Sequence, residues 1–239
     1  MPERILTRVH VILIPGFWLD ASSWDPVLPA LRGAGHTTHP LTLPGLESAE
    51  ADRAGIGLRD HVDFVIGKVD ELEGAVALVG HSGGGAIAHA VADARPERIT
   101  RVIYVDSGPL ADGGVINDEL PVDGHDLPLP EWDQFDEADL RDLDDELRAA
   151  MRERAIPQPA AVATEPQRLG DPRRYDVPAT VIACEFSSEM LKGLIDQDHP
   201  YVAELARLKN VEYIDLPTGH WPQFTKPAEL AQVLVQAMG

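Results

Sequence analysis

Residues 76–90 read Val76-Ala77-Leu78-Val79-Gly80-His81-Ser82-Gly83-Gly84-Gly85-Ala86-Ile87-Ala88-His89-Ala90. An apolar run, a G-x-S-x-G and a helix of small residues, in that order, predict a buried strand turning sharply into a helix, with Ser82 at the turn. Such a turn forces the serine into a strained backbone with its oxygen exposed, and glycines two residues to either side relieve the crowding. At the first turn of a helix, free N–H groups and the positive end of the dipole face the charge that acyl transfer develops. The alternative is a glycine-rich turn whose serine only caps the helix.

Similar apolar runs recur along the chain as His10 to Ile14, Pro40 to Leu43, Val102 to Val105, Val177 to Ala183 and Val211 to Leu216. Each is short, β-branched and bounded by Gly, Pro or charge, as strands buried on both faces should be. Helical spacing falls between them, at Trp24, Val27, Leu28 and Leu31, at Leu58, Val62, Val65, Val69 and Leu72, and at Leu230, Val233 and Leu234. Alternating strand and helix predict an α/β fold of about six mainly parallel strands with helices on both faces. The length of 239 residues fits a single domain spanning 1–239.

One interval breaks the alternation. Between Asp106 and Val177 there is no convincing strand, and an acidic helix is predicted from Phe135 to Arg154 through Leu140, Leu143, Leu147 and Met151. A structureless loop of that length is unusual, so residues 107–177 are expected to form a helical cap inserted over the site.

Composition narrows the partners. Twenty basic against forty acidic residues leave a net charge of −20, which repels phosphate backbones and anionic lipid surfaces and excludes nucleic-acid and membrane binding as expected functions. Fifteen of the acids lie between Asp112 and Arg154 against four basic residues, as a solvated face would have them. No apolar run is long enough to span a bilayer, and Met1-Pro2-Glu3-Arg4 leads towards the first strand without a signal-peptide core, so a cytoplasmic protein is expected. Cys184 is a lone cysteine in an apolar segment, read as core packing.

A serine nucleophile needs a base, and His220, in Leu216-Pro217-Thr218-Gly219-His220-Trp221-Pro222, is the best placed. It follows the last predicted strand and precedes the last helix, at the carboxyl edge where Ser82 also emerges. With Ile14-Pro15-Gly16-Phe17-Trp18 after the first strand and Gly80 to Gly84 in the middle, the whole chain resembles an α/β-hydrolase. Among the branches of that fold it is most similar to the small bacterial and plant carboxylesterases, salicylate-ester hydrolases and hydroxynitrile lyases. The resemblance implies a sheet that begins at the oxyanion strand, with no amino-terminal hairpin.

It also implies roles. The backbone N–H groups of Phe17 and Gly83 would form the oxyanion hole, and Pro15 replaces a histidine common in the family without removing a donor. Phe17, Trp18 and Trp221 would line an apolar substrate pocket, the alternative for the two tryptophans being core packing. Relatives often place the orienting acid after the penultimate strand, where this chain has Cys184-Glu185-Phe186 instead of the expected Asp. Asp106, ending the strand Val102 to Val105, is the preferred acid, with Glu185 or a solvent-linked or absent acid as alternatives and a turn-capping role as the plain reading of Asp106. His81 is read as packing, since it points away from Ser82 in a regular strand. The remaining histidines, His36 and His39 among them, form no metal constellation, so neither metal nor cofactor is expected.

The resemblance therefore implies a serine hydrolase for a small or medium apolar carboxylic ester or lactone, acting as a monomer or homodimer on a small-molecule substrate. C–C bond cleavage or cyanohydrin lysis at the same site, and a ligand-binding protein that keeps the fold without activity, are the alternatives.

Overall fold

The computed structural model describes residues 9–238, and the Met1–Arg4 stretch read above lies outside them. The chain enters through β1 (His10–Ile14), passes a 3-10 turn at Ala21–Trp24 and α1 (Leu28–Gly33), and returns as β2 (Thr37–Pro40). Then follow α2 (Leu58–Glu71), β3 (Val76–His81), α3 (Gly83–Ala94) and β4 (Ile99–Val105). Residues 106–178 hold a two-stranded antiparallel ribbon, β5 (Asp126–Leu127) with β6 (Gln158–Pro159), together with α4 (Asp145–Arg154) and α5 (Ala160–Thr164). The main sheet resumes at β7 (Ala179–Ala183), followed by α6 (Ser188–Asp196), β8 (Val211–Asp215), α7 (Pro222–Thr225) and α8 (Pro227–Ala237).

The six-stranded sheet runs β2-β1-β3-β4-β7-β8, and each neighbouring pair is parallel. Alternate side chains of a strand point to opposite faces, so Ile12 and Ile14 enter one core while Val11 and Leu13 enter the other. The first core packs against α2 through Leu58, Val62, Val65 and Val69. The second packs against α1 and α8 through Leu31, Leu230 and Leu234. Every residue of β3 and β7 is buried, as an apolar run covered on both sides requires. Strand order reverses between β1 and β3, which opens a crevice outside their carboxyl ends.

Three elements differ from the sequence reading: the interval from Asp106 to Val177, read as free of strands, holds the short ribbon of β5 and β6, and two further elements are displaced. The strand expected from Pro40 to Leu43 lies earlier, at Thr37–Pro40, paired in register from His10↔Thr37 to Leu13↔Pro40. As an edge strand it is half-buried and polar, and the apolar Leu41 and Leu43 belong to the turn that follows, where they fill the core. The acidic helix expected from Phe135 begins only at Asp145. Asp142 takes a positive φ of 62° that no helix continues through, and Asp144 then caps the new helix by accepting from the Leu147 N–H at 2.9 Å. Among the described residues no helix is long and apolar enough to cross a membrane.

Candidate active site

Ser82 stands between β3 and α3 with φ 52° and ψ −126°, a conformation that L side chains rarely adopt. The glycines around it permit close approach: a Cβ on Gly80 would lie 2.4 Å from the Gly84 carbonyl oxygen, and one on Gly84 would lie 2.6 Å from that of Ile14. The turn is tied to the neighbouring strand, for the Ser82 N–H donates to Val105 at 3.2 Å and the Ser107 hydroxyl donates to the Ser82 carbonyl at 2.6 Å. The oxygen of Ser82 is thereby aimed at the loop after β8.

His220 occupies that loop. Its Nε2 lies 2.7 Å from Ser82 Oγ, and its Nδ1 lies 2.6 Å from Asp106 Oδ2. Asp106 leaves β4 with φ 42°, and its other oxygen accepts the N–H groups of Cys184 at 3.2 Å and Glu185 at 2.9 Å. Both lone-pair faces of the carboxylate are thus engaged. Burial alone would push the Asp106 carboxyl up, but its hydrogen bonds to His220 and Glu185 hold it below the usual range. Burial likewise opposes the His220 imidazolium, yet the bond and charge of Asp106, with the charges of Asp139 and Glu185, outweigh it and raise the imidazole above its ordinary value.

Of the two carboxylates considered from sequence, Asp106 takes the imidazole and Glu185 does not. Asp106, Glu185 and His220 offer oxygen and nitrogen atoms within 4.8 Å of one another, a spacing a metal could use. Both imidazole nitrogens are engaged, one by a carboxylate and one by a hydroxyl, which suits movement of a proton.

The loop after β1 closes the other side. A Cβ on Gly16 would come within 2.9 Å of the Ser82 Cβ, and one on Gly83 within 2.7 Å of the Phe17 ring, so this loop lies directly against the serine turn. Gly83 is the first residue of α3, where a backbone N–H has no partner one turn earlier.

Trp18 and Trp221 are corrected. The cavity that opens at Ser82, about 530 Å³, is walled instead by residues after β4 such as Pro109 and Leu110, and by Leu191, Val202 and Leu205. Trp18 is only 5% exposed, donates its indole N–H to Leu127 at 3.0 Å and stacks edge-on against Phe135. Trp221 is 1% exposed and packs against the same Phe135 and Trp132. Both tryptophans fasten the segment between β4 and β7 to the sheet, because a large ring with one polar atom serves burial better than an open wall.

His81 proves more than packing. It is wholly buried and held neutral, its pKa lowered to about 3 chiefly by burial. Its Nε2 donates to the main-chain carbonyl of His220 at 2.7 Å. Sequence gave no signal for that contact, which joins residues 139 positions apart. Cys184 is buried, and burial pushes its thiol up, away from any nucleophilic role.

Known proteins share this architecture. A carbendazim hydrolyzing esterase of Nocardioides sp. is 31% identical over 101 residues, 41% of this chain and 41% of that protein. A pimeloyl-acyl-carrier-protein methyl ester esterase of Klebsiella pneumoniae is 32% identical over 101 residues, 42% of this chain and 37% of that protein. The matched stretch is thus about two fifths of each of these curated relatives. A solved structure, described as an extracellular α/β-hydrolase from a Paenibacillus species with structural and functional homology to tobacco salicylic acid binding protein 2, superposes with a TM-score of 0.76. That likeness covers 96% of this chain and 98% of the other at 22% identity, a likeness of fold. The model of the alpha/beta hydrolase family matches residues 11–233, so the chain belongs to the alpha/beta hydrolase family.

Proposed function

We propose that the chain is a serine hydrolase that cleaves a small or medium-sized apolar carboxylic ester or lactone through an acyl-enzyme. The observation that carries the proposal is the unbroken hydrogen-bonded line from Asp106 through His220 to Ser82, at the end of a largely apolar cavity. Ser82 Oγ attacks the carbonyl carbon while its proton passes to His220 Nε2, and Asp106 holds the imidazole in the tautomer that can accept it. Negative charge on the former carbonyl oxygen meets the N–H groups of Phe17 and Gly83, each donor worth about 10²–10³ in rate. The tetrahedral species collapses, the bond to the alcohol oxygen breaks, and His220 returns the proton to that oxygen. Water then repeats the sequence on the acyl-serine and frees the acid.

No step needs a cofactor. Residues 107–177 form the cap in this reading, with its early portion along the cavity wall. That both partial relatives carry esterase names supports an ester as the bond cleaved.

The test is labelling with a fluorophosphonate and turnover of p-nitrophenyl esters of increasing acyl length. Wild type should label and turn over, and Ser82→Ala should do neither. Wild-type protein that neither labels nor hydrolyses any ester would overturn the proposal and favour a ligand-binding role.

A further inference from the structure

The residue before the nucleophile is a buried imidazole that acyl transfer does not use. His81 closes β3, is 0% exposed, and stands beside His220 with the two ring centroids 5.1 Å apart. Kept neutral by its burial, the ring carries one proton. A carbonyl oxygen can only accept, so the 2.7 Å contact with the His220 main-chain oxygen places that proton on Nε2.

The other nitrogen, Nδ1, is buried and has no hydrogen-bond partner among the described residues. It faces the loop after β1, for a Cβ on Gly16 would lie 2.6 Å from it and 2.9 Å from the Ser82 Cβ. One imidazole thus fills the space between that loop and the His220 peptide, while its own backbone runs directly into Ser82. Packing alone would be served better by an apolar side chain, which leaves no buried polar atom unmatched. The His220 stretch is otherwise bonded to the inserted segment: its N–H donates to the Asp139 carbonyl at 2.8 Å, and the Gly219 N–H to the Arg141 carbonyl at 3.1 Å. The bond from His81 is what ties this stretch to the central sheet.

We infer that His81 is a positioning residue for His220: its Nε2–H fixes the main chain of the base against the serine turn, and with it the 2.7 Å reach from His220 Nε2 to Ser82 Oγ. The inference rests on the hydrolase reading for its kinetic consequences. Moving a catalytic group by about 1 Å can cost about 10²-fold in rate. His81 has no part in the wall of the cavity, so its loss should fall on kcat and spare KM.

Three substitutions separate the bond from the packing. His81→Gln carries an amide N–H to the place of Nε2, whereas the shorter His81→Asn reaches only that of Nδ1, and His81→Met fills similar space with no donor. Each is compared with wild type by its urea midpoint, by kcat and KM on a p-nitrophenyl ester, and by amide hydrogen exchange of His220 relative to core amides. His81→Asn and His81→Met should lose about 30-fold in kcat with KM within about two-fold, and exchange the His220 amide about ten-fold faster. His81→Gln should keep both within about three-fold of wild type. The inference is overturned if His81→Asn and His81→Met match wild type in rate and exchange, if His81→Gln is as impaired as they are, or if KM rises as much as kcat falls. Should His81→Met fail to fold, the two amide variants decide the matter by themselves; should neither of those fold, His81 serves packing alone and the inference is overturned. Absence of turnover in wild type would overturn the hydrolase reading alone, and the exchange comparison would still decide whether His81 holds the His220 main chain.

Discussion

Ser82 and Asp106 both leave the sheet through positive φ, at 52° and 42°, and the two are joined through one imidazole. Backbone strain of order 1–3 kcal/mol persists only where the surroundings over-determine it. Here the surroundings do: Ser82 is tied to β4, and Asp106 spends one oxygen on two backbone N–H groups. Because the Asp106 carboxylate raises the imidazole, kcat/KM should fall as pH drops through a midpoint above the ordinary histidine value of about 6.5. A pH–rate profile flat to about pH 5 would count against His220 as the base. Asp106→Asn should shift that midpoint downward, since it removes the charge that favours imidazolium, and lower kcat by about 10³–10⁴-fold. The serine and the histidine were legible as single residues because each sits in a local signature. The choice between Asp106 and Glu185 was not, because it depends on which of two loop ends the imidazole faces, and no spacing along the chain encodes that.

Among the elements, β3 and α3 were read nearly as they stand, for burial on both faces leaves an uninterrupted apolar run and a helix of small residues. The edge strand β2 was read three residues late, because an edge has no apolar face to advertise. The acidic helix was read too long, because 3–4 spacing at Leu140 and Leu143 is also made by a turn that buries Leu143 and packs the half-buried Leu140 on the same core. The packing of α3 on β1 carries a test. Gly84→Ala would drive a methyl to 2.6 and 2.7 Å from the Ile14 and Pro15 carbonyl oxygens, backbone atoms that cannot swing aside. It should cost about 2–4 kcal/mol, read as a lowered urea midpoint. Gly67→Ala, on a helix where an added Cβ meets nothing within 4 Å, should leave the midpoint unchanged or raise it by up to about 1 kcal/mol.

Across the whole molecule, a buried ionic cluster joins parts distant in sequence. Glu204, 4% exposed at its side chain, accepts from His89 on α3 and from Arg174 at 3.1 Å each, and Arg174 also donates to Asp93 at 3.1 Å. Burial alone would raise the Glu204 carboxyl, but these partners and Tyr175 outweigh it and pull it down to about 2. A carboxyl lowered on folding lends stability above its unfolded value of about 4.3 and loses it as pH falls towards the folded one. Wild type should therefore lose about 3 kcal/mol between roughly pH 5 and pH 2 that Glu204→Gln, already destabilised at neutral pH, does not lose again. Equal acid slopes in denaturant titrations of the two proteins would refute this. None of the cluster was legible in sequence, for Glu204 meets Tyr175, Arg174 and His89 across 29, 30 and 115 positions. The same separation governs the site. Ser82 and His220 are 138 residues apart, and the imidazole arrives with β8, the last and outermost strand of the described sheet. Assembly order follows: the serine turn is complete once β1, β3 and β4 have paired, whereas its base must await the docking of an edge. On dilution from denaturant, recovery of helical ellipticity should precede recovery of fluorophosphonate reactivity, so that the chain passes through a folded interval in which the nucleophile exists without its base.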